Sequence, residues 1–496
     1  RMAFEELGPT YIKLGQILST RPDLVPADYL DELARLQDEV PPFPFEDVKA
    51  VIESEFGISA EEIFDSLDEQ PLASASIGQV HKARIKDGEP VAVKFQRPGI
   101  QKVIEVDLEI MLHLATLAER HIREFKIHRP VKIVEEFART LEKEIDYQIE
   151  ATNMERIARR FLKIPYVYIP AVFREFTTSR VLTTELIEGI KVSKIEEIAE
   201  AGLDQKVIAD RIVGLVLKQA FDHGFFHADP HPGNIFVLAE NVICLVDYGM
   251  MGLVDRGTRE AFVDLIDSVV HQQEVKTTQV LLNLTDWDEE PDIRALEREV
   301  ADFMGRHFHK PLKDMEIGKL LQDLLQLTMR FRLRLPPDIF LLIKALSSVE
   351  GVGRKLDPDF DLIAHASPFI QQVKLERFAP ERISSDVYDM MSRLLQFLQQ
   401  FPKDLMDLSG MIRQQRLGLQ LEHKGLETLL ATQDQTSNRI SFAIIIAALI
   451  IGSALIVISK IPPLVYGISL IGIIGYLVAA IMGLWLLVAI IRKGRL

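Results

Sequence analysis

The spacing of apolar and polar residues divides the chain into stretches of different period. Residues 3–37 read as helical, with breaks at Gly8-Pro9 and around Arg21-Pro22. Pro41-Pro42-Phe43-Pro44 follows as a rigid link, and 46–56 is another helix. The pattern changes at Pro71 to Gln79, a loop of small residues. Behind it come two strands, Val80 to Ile85 and Val91 to Phe95, joined by an Asp87-Gly88 turn of the kind that closes hairpins. Helical periodicity returns over roughly 103–125 and 134–158. Residues 165–176 and 181–187 read as strands, the second running through Glu185-Leu186 into Glu188-Gly189, where an interlobe hinge would meet adenine with its backbone.

A helix over 206–223, with Ile208, Ile212, Leu215 and Val216 on one face, delivers the chain to a short hairpin. Its strands are Ile235 to Leu238 and Val242 to Val246, about a turn at Ala239-Glu240-Asn241. Helix-like sequence then runs from Arg256 to about 350. Another helical stretch from about 383 to 435 is rich in Gln and Leu, with Gly410 and Gly425 as its weak points. Residues 441–459 and 464–491 are almost wholly apolar, and each is long enough to span a bilayer. Only Lys460-Ile461-Pro462-Pro463 separates them, which predicts a tight transmembrane hairpin.

Charge sharpens this division. The last 56 residues carry Lys460, Arg492, Lys493 and Arg495 and no acid, so the preceding 440 hold −20 against −16 for the whole chain. So acidic a part excludes nucleic acid as the main partner, because phosphate-backbone binding needs a basic surface. Arg439 before the first span and the basic cluster after the second put both ends, and the catalytic domain, on the cytoplasmic side. Gly452, Ser453, Gly467, Gly472, Gly475 and Gly483 would let helices pack closely, within the hairpin or between two copies in a homodimer. Cys244 is the single cysteine, so no internal disulfide forms, and its apolar strand makes it a core residue. No signal-peptide pattern is present. The chain opens at Arg1, so a segment preceding it is expected.

The chemistry gathers at the ends of the 235–246 hairpin. Before it stands His227-Ala228-Asp229-Pro230-His231-Pro232-Gly233-Asn234, and thirteen residues after Asn234 comes Asp247-Tyr248-Gly249. Phosphoryl transfer from a nucleotide needs this set: an Asp beside the attacking hydroxyl or water, and an Asn plus a second Asp to hold Mg²⁺ against phosphates. Asp229 and Asn234 have the D-x-x-x-x-N spacing of a kinase catalytic loop, and Asp247-Tyr248-Gly249 stands where D-F-G would. Val91-Ala92-Val93-Lys94 matches the kinase strand whose Lys contacts the α- and β-phosphates. Ahead of it, the small residues Ala73-Ser74-Ala75-Ser76 and Gly78 would let backbone N–H groups approach phosphates. Such a Lys needs an acidic partner, and Glu142, Glu144, Asp146 and Glu150 lie in the 134–158 stretch. They form either a solvated acidic face or a shared site for two lysines. Asp146 and Glu150, four apart, would share one helix face. His227 and His231 are also four apart, but Pro230 and Pro232 forbid the helix a zinc pair would need, so His227 is read as a brace for the loop. No long activation segment follows Asp247, which counts against a protein substrate.

These residues resemble the UbiB (ADCK-like) family of atypical kinases over almost the whole chain. Lys13-Leu14-Gly15-Gln16 corresponds to the K-x-G-Q motif of that family, and Glu144-Ile145-Asp146 to its E-x-D motif. Ala73-Ser74-Ala75-Ser76 stands in for its alanine-rich loop, with Ser74 where Ala is common. The resemblance implies that the helix carrying Lys13 and Gln16 folds over the active site where a protein substrate would bind. Lys13 then engages Glu144 and Asp146, while Glu150 pairs with Lys94. It also implies altered nucleotide preference, weak or absent kinase activity toward other proteins, and ATPase action at membranes in support of isoprenoid quinone synthesis. The two C-terminal spans resemble bacterial members, pointing to a bacterial inner membrane or a cyanobacterial one.

The expected fold is therefore α+β. A two-lobed kinase-like body (61–188 and 189–375) follows an N-terminal helical extension (1–60), and a helical linker (376–438) leads to a transmembrane hairpin (439–496). ATP and Mg²⁺ are the expected cofactors. Lys94 and Glu150 would orient phosphates, Asn234 and Asp247 would hold the metal, and Asp229 would direct water. Membrane lipids, prenylated quinone precursors and quinone-biosynthesis enzymes are the expected partners. Two rivals remain: a phosphotransferase for a small molecule or lipid headgroup, since the H-x-D-x-H-P-x-N loop also resembles aminoglycoside and choline kinases, and a nucleotide-sensing membrane scaffold.

Overall fold

The computed structural model describes the chain except residues 20, 22–23, 26, 34, 37–40, 87, 123–128, 288–289, 309–314, 414–425, 466–467 and 493–496. Asp87 of the predicted turn, Pro22, Gly425, Gly467 and the basic cluster from Lys493 onward thus lie outside the described residues. The chain divides into two compact units, Arg1–Val387 and Tyr388–Leu496.

The first unit opens with α1 (Met2–Leu7), α2 (Pro9–Ser19) and α3 (Ala27–Leu33), then α4 (Phe45–Phe56) and α5 (Ala60–Ile63). Gly8 at φ 103° separates α1 from α2, a backbone conformation that suits glycine. Next come β1 (Phe64–Leu67), β2 (Ala73–Ser74), β3 (Gly78–Ile85) and β4 (Pro90–Gln96). With β6 (Val181–Glu185) they form an antiparallel sheet in the order β1-β3-β4-β6, β2 lying on β3. Alternation along β4 sends Val91, Val93 and Phe95 inward onto Val48, Val51 and Ile52 of α4. Lys94 therefore emerges on the opposite face. Removing the fully buried Phe95 ring would cost about 3–5 kcal/mol.

Between β4 and β6 run α6 (Ile100–His121), α7 (Pro130–Ile145) and α8 (Tyr147–Phe161). The 134–158 stretch is thus two helices rather than one. Asp146 leaves helical geometry (φ −93°, ψ 99°) and caps α8, its carboxylate accepting the Gln148 N–H at 3.0 Å. Consequently Asp146 and Glu150 do not share a continuous helix face. Residues 165–176 also depart from expectation. Only β5 (Val167–Tyr168) is a strand there, paired in parallel with a strand of the other lobe, and Arg174–Phe176 is a 3₁₀ turn.

The other lobe begins with β7 (Ile190–Lys191), α9 (Ile195–Glu200) and α10 (Gln205–Leu217), the last capped by Asp204. A π turn over Lys218–Asp222 leads into β8 (Phe225–His227). β9 (Ile235–Val237) and β10 (Ile243–Leu245) form the expected hairpin inside the order β5-β10-β9-β7, and β11 (Met251–Leu253) pairs with β8. Helices α11 (Arg256–Val270), α12 (Glu274–Leu284), α13 (Ile293–His307), α14 (Ile317–Arg330), α15 (Pro337–Leu356) and α16 (Leu362–Glu376) complete the lobe. Their apolar stripes merge with those of α8 and α10 into one large core. Cys244 is buried in it, and burial pushes its thiol up to about 12.

The second unit takes in most of α17 (Pro380–Arg413), then α18 (Leu426–Ile458), a two-stranded turn of Leu464–Val465 and Ile468–Ser469, and α19 (Leu470–Arg492). Stretches Arg439–Ile458 and Leu470–Leu487 have mean hydropathies of 2.8 and 2.4, long and apolar enough to cross a membrane. The second helix starts at Leu470 rather than 464, because the small hairpin lengthens the connection. α18 begins at Leu426, within the predicted linker, and continues into the first span without a break. Within this unit the small residues do allow close packing: a side chain at Gly472 would strike Val457, and one at Gly475 would strike Ser453. Gly452 and Gly483 face open space.

Candidate active site

Lys94 on β4 reaches across to α8, its Nζ 2.9 Å from Glu150 Oε2. The other oxygen of Glu150 accepts the Tyr248 N–H at 3.3 Å, so one buried carboxylate ties the strand to the Asp-Tyr-Gly turn. Gly249 belongs at this point, since a side chain there would come within 3.3 Å of Asp247 Oδ1 and 4.0 Å of Glu150 Oε2. Burial opposes charge on Lys94, but Glu150 and Asp247 outweigh it and hold the ammonium well above its ordinary range. For Asp247 too, burial alone would favour the neutral acid. The Lys94 cation, the Gly249 N–H (3.0 Å) and His227 reverse this and keep the carboxyl at about 2. Burial and the Asp247 charge push Glu150 upward. The site thus presents a fixed cation beside a fixed anion.

The catalytic-type loop follows β8. Gln219 of the π turn, fully buried, accepts the His227 N–H at 2.9 Å and sets where the loop begins. The His227 ring then grips the backbone on both sides. Its Nδ1 accepts the Asp229 N–H at 3.1 Å, and its Nε2 donates to the Asp247 carbonyl. Tyr248 packs edge-on against this ring, with centroids 5.6 Å apart. Asn153 of α8 donates to the Tyr248 carbonyl at 3.0 Å. His227 is therefore a brace, while the Nδ1 of His231 accepts Gly233 N–H at 3.0 Å within its own loop. Asn234 ends a 3₁₀ turn directly before β9, and its carbonyl accepts the Val246 N–H at 3.1 Å. The hairpin register therefore brings the Asn234 and Asp247 ends together.

The Ala73–Ser76 segment is folded more tightly than expected. Ala73 and Ser74 pair with Val80 and Gln79, and the Ala75 N–H donates to the Gly78 carbonyl at 2.7 Å. That amide is thus occupied within the hairpin rather than presented to a ligand. Gly78 lies against the Tyr147 hydroxyl and the Phe95 carbonyl, where no side chain would fit. At the predicted hinge, Glu185 accepts Tyr168 OH at 2.7 Å and Ala171 N–H at 3.2 Å. Leu186 N–H donates to the Pro90 carbonyl at 3.2 Å, so neither Glu185's side chain nor Leu186's amide is free for adenine.

Helix α2 docks through Tyr11, Leu14 and Ile17 onto the cluster of Ile77, Ile104, Phe137 and Leu141. This seats Lys13, itself buried, in an ion pair with Glu144 at the end of α7. Gln16 turns instead to the Leu36 carbonyl at 3.3 Å, fastening the N-terminal extension to itself. Gln219, Asn153 and Lys344 are positional residues that sequence reasoning missed. Lys344 of α15 lies 2.9 Å from Asp229 Oδ1. No motif spacing links α15 to the loop. The only available signal was a lysine interrupting the buried face of Phe340, Ile343 and Leu346.

The residues fit a magnesium nucleotide. Mg²⁺ takes one or two protein oxygens and completes its shell with phosphates and water, so the ionised Asp247 and the Asn234 carboxamide suffice. Among the described residues no cluster of three or more His, Cys, Asp or Glu is placed to hold a metal ion. Ser74 Oγ, Tyr147 OH and Glu144 Oε2 are buried without a hydrogen-bond partner, polar groups that a ligand could satisfy.

A lysine–glutamate pair between a strand and a helix, a D-x-x-x-x-N loop and a D-Y-G turn define a kinase-like nucleotide site in a two-lobed fold. An ABC1 atypical kinase-like domain matches residues 35–281, a UbiB helical domain 300–361, and an ABC1/UbiB kinase-like C-terminal domain 424–492. The chain is 32% identical over 496 residues to an uncharacterized protein from the hydrogenase 1 5′ region of Clostridium pasteurianum, covering 100% of this chain and 93% of that one. It is 38% identical over 387 residues to the Cellvibrio japonicus protein named Probable protein kinase UbiB, covering 77% and 70%. The structure resembles the Rv3197–erythromycin complex of Mycobacterium tuberculosis, with TM-score 0.50, 25% identity, and 69% and 87% of the two chains covered. The chain belongs to the ABC1/UbiB family of atypical kinase-like proteins.

Proposed function

We propose that the protein is a membrane-anchored, Mg²⁺-dependent ATPase that supports isoprenoid quinone synthesis by making prenylated precursors accessible to soluble enzymes. The observation that carries ATP chemistry is the buried Lys94–Glu150 pair beside Asp247, 2.9 Å between charged atoms. Lys94 would neutralise phosphate oxygens, and Asn234 and Asp247 would hold Mg²⁺. The metal, when bound, would shield the phosphates and draw off charge as the terminal bond breaks. Asp229, on a loop braced by the His227 ring, would orient water for attack. The Lys13–Glu144 pair holds α2 against the site's rim, which supports turnover without a protein substrate. The helices Arg439–Ile458 and Leu470–Leu487 support action at a lipid surface, with the catalytic unit on the cytoplasmic side. The quinone assignment rests on the family membership and the motif resemblance.

The test is a lipid profile of cells lacking the protein, rescued by wild type or by Asp247→Asn. Loss of a quinone with build-up of its prenylated precursor, restored by wild type alone, is expected. An unchanged quinone pool would refute the lipid role. A phosphorylated headgroup in the wild-type extract would point to the phosphotransferase instead.

A further inference from the structure

We infer that Lys344, in the helical domain outside the kinase motifs, is a positioning residue for this chemistry: it holds the Asp229 carboxylate in the orientation that directs water. The inference rests on the ATPase reading. An Asp that orients a nucleophile must be ionised and fixed, yet its own loop supplies no cation. Residues 227–234 contain no Lys or Arg. The His227 ring is committed to two backbone groups and the His231 Nδ1 to Gly233. The cation instead arrives from α15, where Lys344 Nζ meets Asp229 Oδ1 at 2.9 Å.

The helix is held so that this contact is fixed rather than incidental. One turn before Lys344, Phe340 lies under the Arg21 guanidinium at 5.3 Å, in the N-terminal extension. One turn after it, Ser348 Oγ donates to the Pro230 carbonyl at 3.1 Å, the residue next to Asp229. Ile339, Ile343 and Leu346 anchor the opposite face in the core. Side chains 344 and 348, four apart and on one face, thus grip consecutive residues of the catalytic loop. Both partners of the pair are about one-third exposed, at 32% and 30%. Pairs so exposed contribute little to stability, so stability alone gives weak reason for a lysine here. A role in orienting the carboxylate gives a stronger one.

The test compares wild type, Lys344→Met, Lys344→Arg, Asp229→Asn and the Lys344→Met/Asp229→Asn double variant. ATP hydrolysis is measured on full-length protein in lipid vesicles with Mg²⁺. Lys344→Met is expected to lower kcat about 10-fold or more with KM for ATP nearly unchanged, and Lys344→Arg to recover most of the loss. In the Asp229→Asn background, Lys344→Met should have no further effect, because the lysine acts through the lost carboxylate. A full rate in Lys344→Met, or an equal loss in both backgrounds, overturns the inference while leaving the ATPase reading intact. A full rate in Asp229→Asn overturns the assignment of Asp229 and this inference with it. Should Lys344→Met fail to fold, Lys344→Gln carries the same comparison.

Discussion

Of the lysine–carboxylate pairs at the candidate site, Lys94–Glu150 and Lys344–Asp229 are built on opposite physical terms. Lys94–Glu150 has its carboxylate 4% exposed, is bound to a backbone N–H, and sits beside a second anion. Lys344–Asp229 has the same separation, 2.9 Å, but each partner is about one-third exposed. Distance is therefore a poor guide to what a pair does. Glu150 has no alternative partner in water, so its pairing with Lys94 and the fold are linked. The open pair leaves Asp229 reachable from solvent while Lys344 holds its orientation, which suits a carboxylate that must meet a reacting molecule.

The comparison is broken most directly by removing each lysine. Lys94→Met should cost about 3–5 kcal/mol in urea unfolding, because it strands Glu150 in the interior, and should abolish ATP turnover. Lys344→Met should change stability by no more than about 1 kcal/mol while lowering turnover. Equal stability losses would mean that the two pairs do not differ in kind.

A smaller effect comes from pH and probes burial in the same lobe as Lys94. His81 on β3 is fully buried, its Nδ1 donating to the Asp68 carbonyl at 2.7 Å and its Nε2 accepting from Gln79 at 2.9 Å. Burial lowers its pKa below the ordinary value. The unfolded chain therefore binds this proton more readily than the folded one. The stability that neutral His81 contributes is full above about 6.5 and is lost as pH falls through its lower folded value. The melting temperature should fall between about pH 7.5 and 5.5, and part of that slope should vanish in His81→Gln. An identical slope in the variant would mean that other groups carry it.

What the sequence showed follows the same division. Lys94, Asp229, Asn234 and Asp247 were legible because each sits at a fixed offset within a strand–loop unit, and local offsets survive folding. The Lys13–Glu144 contact was expected only through family resemblance, since nothing local to either residue points to the other. Asp146 misled, because its spacing to Glu150 suits one helix while its side chain prefers to cap a new one. The Ala73–Ser76 loop was read as open because small residues permit approach, but the same smallness lets it fold onto β3. The partners of Lys344 and Gln219 were not legible: they lie in other elements, reached only after α15 and the π turn have packed.

The central claim is that Asp247 and its neighbours turn over ATP. It is tested most directly by phosphate release from ATP by the full-length protein in lipid vesicles with Mg²⁺, wild type against Asp247→Asn. The account predicts steady release by wild type and a loss of about 100-fold or more in the variant. Equal rates in the two proteins would contradict it.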